Sequence, residues 1–289
     1  MPRILVTGAT GTFGGEVARQ LQAAGEPIRV LVRDAAKVSQ FDETVQVVVG
    51  DFAAFESLDA ALTGIECIFL ASFDSPDQLE LQGNVLTTAK RHGARHIVRI
   101  STMGVNEWRH IPVFEVHYQC ERQLEDSGLA FTHLRPHWVM QNFLPSSSVT
   151  PVVGDMIRLP AGEGRVGFVD ARDVAAAGIE ALTTPGHAGK AYELTGPEAV
   201  SHSDIADRLS AATGRSITYE SISPKAYEQE KAAQGWPRSS IDEMLSHFTR
   251  IRDGLDSEVT DTVETVTGRP GLSFRDFARD YVSEFKAGS

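Results

Sequence analysis

Short apolar runs alternate with longer amphipathic stretches through the first half of the chain. Ile4 to Val6, Ile28 to Val32, Val45 to Val49, Cys67 to Ala71, His96 to Ile100 and Phe131 to Leu134 read as strands. Between them, helical periodicity runs over about 12–24, 55–62, 77–92 and 112–127. Strands this apolar must be covered on both faces, which predicts a parallel sheet sandwiched by helices. Right-handed crossovers then give a doubly wound α/β topology.

The rhythm changes beyond Pro136. Residues 145 to 165 are rich in Ser, Pro and Gly and read as a loop region, a candidate cover for a site. A helix starting near Ala171 and a strand from Ala191 to Leu194 return to the sheet. Ser201 with Asp204 has the spacing of a helix N-terminus, opening a helix to about Thr213. The expected organisation is a nucleotide-binding domain over 1–145, rejoined by about 166–195, and a small, mainly helical C-terminal substrate lobe over 146–289.

The turn after the first strand carries the strongest chemical signal. Thr7-Gly8-Ala9-Thr10-Gly11-Thr12-Phe13-Gly14 joins a strand to an amphipathic helix, the layout of a Rossmann-type dinucleotide crossover. Glycines let backbone approach a pyrophosphate, and the helix start turns free N–H groups and a positive dipole end toward it.

Composition narrows the classes. A formal charge of −12 without a Lys/Arg cluster argues against nucleic acid. No apolar stretch approaches the roughly 18 residues of a membrane span. Two cysteines, Cys67 and Cys120, form no disulfide framework, and with no secretory signal the expected location is cytoplasmic.

The second strand ends in Val32-Arg33-Asp34. Arg33, 19 residues after Gly14, meets the ribose 2′ position in this fold and points to NADPH, with NADH the lesser choice. Asp51 with Phe52 is placed to reach the adenine. Ala71-Ser72-Phe73 and Ser101-Thr102 lie at the carboxyl edge of the sheet, where ligands bind.

These motifs, with Gly50-Asp51, Leu134-Arg135-Pro136-His137-Trp138-Val139-Met140-Gln141-Asn142-Phe143, Phe168-Val-Asp-Ala-Arg-Asp-Val-Ala, Tyr192-Glu-Leu-Thr-Gly196-Pro and Thr267-Gly-Arg-Pro270, resemble the NmrA-like group of atypical short-chain dehydrogenases/reductases. The resemblance spans nearly the whole chain. It implies an NAD(P)H-dependent reductase of quinones, azo dyes or triphenylmethane dyes, with Pro136 among the cofactor contacts. Some members of the group are instead non-catalytic redox sensors.

Typical short-chain dehydrogenases use Tyr-x-x-x-Lys on the helix before the sixth strand. Here that helix reads His117-Tyr118-Gln119-Cys120-Glu121-Arg122. By analogy with the dye and quinone reductases, His117 and Glu121 occupy the Tyr and Lys positions as catalytic candidates. His117 would donate a proton near neutral pH and Glu121 would favour its charged form, with an ordinary surface ion pair as the competing reading. Tyr118 with Arg122 faces about 100° away. A zinc site is disfavoured, because His-x-x-x-Glu has no further ligand cluster.

His137, Trp138, Met140, Asn142 and Phe143 offer apolar and aromatic surface for a flat acceptor, with packing in the core as the competing reading. Phe73, Trp108 and Trp236 are further candidates from neighbouring loops. The leading expectation is an NADPH-dependent reductase of a small, planar, electron-poor substrate, with no metal, nucleic acid or membrane involved; a homodimer stays open. The alternatives are an NADP(H)-sensing regulator and, more weakly, a sugar-nucleotide epimerase or dehydratase.

Overall fold

Valine, isoleucine and leucine runs build the centre of the first of two units, formed by residues up to Pro136 and from Ala171 to Leu194. The computed structural model describes residues 3–147, 149–150 and 152–286. In chain order come β1 (Ile4–Val6), α1 (Thr12–Ala23), β2 (Ile28–Val32), β3 (Gln46–Val49), α2 (Phe55–Leu62), β4 (Cys67–Leu70) and α3 (Gln78–Arg91). Then follow β5 (His96–Ile100), α4 (Pro112–Asp126) and β6 (Ala130–Pro136). After β7 (Met156–Leu159) and β8 (Arg165–Val166), the chain re-enters this unit with α5 (Ala171–Thr183) and β9 (Lys190–Leu194).

The seven-stranded sheet has the order β3-β2-β1-β4-β5-β6-β9, and every pairing is parallel. Strand order reverses between β1 and β4, so the loops after these two strands diverge and open a crevice at the carboxyl edge. Period-two alternation sends Leu5, Ile68 and Ile97 to one face, against Leu58, Leu62, Val85, Leu86 and Leu124 of α2, α3 and α4. Phe69 and Leu134 serve α5, which lies so close that a Cβ on Gly178 would stand 2.9 Å from the Phe69 ring. α1 is fastened to α5 by Gln20 Nε2, which donates to the Arg172 carbonyl at 3.0 Å.

The second unit comprises residues 137–170 and 195 onward. β7 pairs in parallel with β11 (Thr218–Ser221), and β8 pairs antiparallel with β10 (Val200–Ser201). The 145–165 segment is therefore not simply a loop. It contributes β7 and leads into β8, and Ile157 and Leu159, with Val166 just beyond, lie in the core of this unit; Ser148 and Pro151 lie outside the described residues. The helices are α6 (His202–Thr213), α7 (Pro224–Ala233), α8 (Arg238–Arg252), α9 (Thr262–Thr267), α10 (Phe274–Asp280) and α11 (Val282–Lys286). Ser201 and Asp204 form a reciprocal capping box at the start of α6.

Candidate functional site

The turn after β1 is shaped by close backbone approach. Gly8 holds φ at +62°, and its carbonyl accepts from Gly11 N at 2.9 Å. A Cβ on Gly14 would lie 2.5 Å from the Gly8 carbonyl oxygen and closer still to that of Thr7, so only glycine lets α1 start here. α1 opens at Gly11 with no side-chain cap, leaving its first N–H groups to a ligand. The Thr7 hydroxyl donates to Ala71 O at 2.8 Å and accepts from Ala71 N at 2.9 Å, joining this turn to the loop after β4. An uncapped helix start beside a glycine turn fits the diphosphate of a dinucleotide.

Around the turn lies a cleft of about 560 Å³. Gly8, Thr10, Gly11, Thr12, Phe13 and Gly14 line its floor. Arg33, Asp51 and Phe52 line the side toward β2 and β3, and Ala71, Ser72 and Phe73 the side toward β4. Asp34 turns away from this space, accepting from Ala36 N at 2.9 Å as the cap of a 3₁₀ turn. Arg33 is thus left as the charged group at the end of β2. Asp51 accepts from Ala53 N at 2.8 Å, which fixes its carboxylate in the turn. Phe73 is 81% exposed. Ser101, Thr102 and Pro136 are not among the lining residues; Ser101 and Pro136 are buried.

Leu31, Val32, Gly50, Asp74, Ser75 and Leu81 also line the cleft, and none of them is among the contact residues expected from the sequence. Gly50 had a readable signal: it directly precedes Asp51, and the Ser57 side chain fills the place of a Cβ. Asp74 had none.

Asp74 changes the reading of α4. His117 is buried, with Nε2 3.1 Å from Asp74 Oδ1 and Nδ1 3.1 Å from Arg99 Nη2. A guanidinium only donates, so Nδ1 accepts and the proton resides on Nε2, directed at Asp74. Burial pushes the imidazole pKa down, against the opposing pull of Asp74. Asp74 is partly desolvated, but the hydrogen bond from His117, with the Arg99 charge and Gln78, outweighs that and holds its carboxyl below the usual range.

Glu121 does not hydrogen-bond His117, contrary to the pairing expected from one-turn spacing. It receives both arms of Arg135, at 3.0 and 2.7 Å, and this pairing outweighs burial to keep its carboxyl ionised. It acts on His117 only as a nearby negative charge. Tyr118 lies between guanidinium groups, with Arg109 3.8 Å and Arg122 5.3 Å from its ring centre. Glu121, Glu125 and His133 each bring a ligand atom within 4.8 Å of the others, but Arg135 and Arg122 already neutralise the carboxylates.

The residues after Pro136 belong largely to the core of the second unit. Met140 is 1% and Phe143 0% exposed, so neither offers pocket surface. Phe143 packs edge-on against Phe168 and Phe274. Trp138 stacks on Phe248 at 6.3 Å and meets His247 edge-on. His137 is buried 3.9 Å from Asp256, and burial with the Arg250 and His247 charges brings its pKa down to about 3. Asn142 is half-buried, and its carbonyl accepts from Thr150. Trp108 packs over Gly104, and Trp236 lies under the Lys231 ammonium.

A parallel sheet with its glycine turn, uncapped helix start and basic residue after β2 defines a dinucleotide-binding protein of the doubly wound class. The chain belongs to the NmrA-like family, whose model matches residues 2–267. It is 37% identical over 285 residues to the NAD(P)H azoreductase of Xenophilus azovorans, covering 98% of this chain and 99% of that one. It is 35% identical over 286 residues to the (4-alkanoyl-5-oxo-2,5-dihydrofuran-3-yl)methyl phosphate reductase of Streptomyces griseus, covering 98% and 99%. The NADPH-dependent quinone oxidoreductase QOR2 of Escherichia coli, solved with NADPH, matches with a TM-score of 0.84 at 26% identity, covering 96% of this chain and 99% of that one. Among the described residues, no helix is long and apolar enough to cross a membrane.

Proposed function

We propose that this chain is an NADPH-dependent reductase of small, planar, electron-poor acceptors of the quinone or azo type. The observation that carries the cofactor choice is Arg33 in the cleft wall at the end of β2, with Asp34 turned to its own 3₁₀ cap. The acceptor class rests on the likeness to the azoreductase and the quinone oxidoreductase.

NADPH, when bound, supplies the hydride. The glycine turn and the first amides of α1 hold its diphosphate, and Arg33 pairs with its 2′-phosphate. The loop from Ala71 to Ser75 forms the far wall of the cleft and presents Phe73 as flat apolar surface. His117 has no free proton to give, since its Nε2–H is engaged by Asp74, and we assign it to holding this wall. In the quinone case the two-electron product takes its balancing proton from solvent. The free thiols Cys67 and Cys120 suit a reducing, cytoplasmic setting.

Steady-state oxidation of NADPH against a panel of quinones and azo dyes is the test. Turnover with NADPH markedly faster than with NADH is expected. Tight NADPH binding without turnover on any acceptor would overturn the assignment.

A further inference from the structure

A chain of hydrogen bonds runs from the interior of the sheet to the wall of the cleft, and its direction is set by chemistry. Arg99 on β5 is 0% exposed and donates from Nε to Gln82 Oε1 at 2.7 Å. Because arginine has no acceptor, the Gln82 carbonyl must face it, and the Gln82 amide must face away. That amide donates to Ser72 Oγ at 2.9 Å, and Gln78 Nε2, turned this way by the Asp74 carboxylate at 3.5 Å, donates to the same oxygen at 3.2 Å. Both lone pairs of the Ser72 hydroxyl are thereby used as acceptors. Its proton is left to point away from α3, and Ser72 lines the cleft.

We infer that Ser72 is a hydrogen-bond donor to the diphosphate of the bound dinucleotide, oriented and polarised by the buried Arg99 through Gln82. Position selects the diphosphate. Ser72 follows Ala71, whose peptide is clasped by Thr7 and whose carbonyl oxygen would stand 3.0 Å from a Cβ on Gly8. Charge selects it too, since a donor with a cation at the head of its chain is best matched by an anion. Arg99 and Gln82 are positioning residues, acting on the ligand only through Ser72. The inference rests on the dinucleotide reading of the cleft but not on any acceptor.

The experiment is therefore a binding titration, which needs no turnover. Ser72→Ala is expected to weaken NADPH about tenfold, the scale of one hydrogen bond to a charged group. It should leave adenosine 2′-monophosphate, which lacks the diphosphate, unaffected, and Ser72→Thr should restore NADPH affinity. Gln82→Glu keeps an acceptor for Arg99 but makes Ser72 donate backward into the carboxylate. Its thermal midpoint should hold while NADPH affinity drops, and adding Ser72→Ala to it should cost nothing more. An unchanged NADPH affinity in Ser72→Ala, an equal loss for both ligands, or additive losses in the double variant would each overturn the inference. Absence of quinone or azo turnover in the native chain would sink the proposed activity and leave this result standing.

Discussion

Arg99 Nη2 donates to His117 Nδ1 across 3.1 Å inside the first unit. This contact decides the tautomer of His117 and, with it, the role the residue can play. Protonating Nδ1 would set two donors face to face beside a buried cation.

His117 is accordingly expected to behave as a brace and not as a proton donor. His117→Gln should reduce quinone turnover by far less than the roughly 10²- to 10⁴-fold loss that follows removal of a general acid. Its pH–rate profile should match that of the native chain between about pH 6.5 and 8, because the pKa lies below the ordinary histidine value. A native profile with a limb near pH 7 that vanishes in the variant would restore the acid role.

Arg33→Ala is expected to weaken NADPH by about tenfold or more, the scale of a charge-assisted hydrogen bond, with NADH affinity nearly unchanged. Fluorescence titration of both nucleotides reads the difference. Equal losses would remove Arg33 from the 2′-phosphate.

The glycines of the turn differ in what they tolerate. Gly14→Ala drives a methyl group against two backbone carbonyls, which cannot yield without moving β1 or α1. A drop in thermal midpoint with loss of nucleotide binding is expected. Gly15→Ala meets only Ala9 O at 3.2 Å and should fold and bind with a small penalty. Similar behaviour of the two variants would contradict the packing argument.

Phe143→Ala should destabilise the chain by about 3–5 kcal/mol, the range for a large aromatic removed from a core. Denaturant unfolding measures this, and the KM for a quinone in whatever fraction stays folded should change little. A raised KM at native stability would return Phe143 to the acceptor pocket.

Acid should loosen the protein through its buried histidines. Burial brings His133, His202 and His247 down to about 4, and His137 to about 3. Each is neutral when folded, whereas the unfolded chain takes up its protons near pH 6.5. Unfolding is therefore favoured as pH falls from about 6.5 toward 4, by about 1.4 kcal/mol per pH unit for each such proton, and stability is fullest above that window. Thermal midpoints between pH 8 and 5 report this, and a midpoint that rose on acidification would refute it.

Much of the fold could be read because its determinants are local. Ile4 to Val6 followed by the glycine turn, or Ser201 with Asp204, need only neighbours in sequence to declare a strand, a crossover and a helix start. The cleft floor was legible for the same reason. The polar interior was not. Gln82 reads as an ordinary polar position on a helix, and Arg99 as an interruption of an apolar strand, until the sheet brings β5 beneath α3 and α4. Asp74 and His117 meet across 43 residues of chain. Met140 and Phe143 failed for another reason: apolar and aromatic residues look the same in a pocket and in a core, and only burial separates the two.

The Thr7 hydroxyl both gives to and takes from the Ala71 peptide, so the turn after β1 and the wall after β4 are welded into one jaw. A nucleotide entering between them meets walls already ordered by folding, and little conformational entropy is left to lose on binding. The same weld makes the two loops mechanically interdependent. A change of length in either would be felt at once in the other.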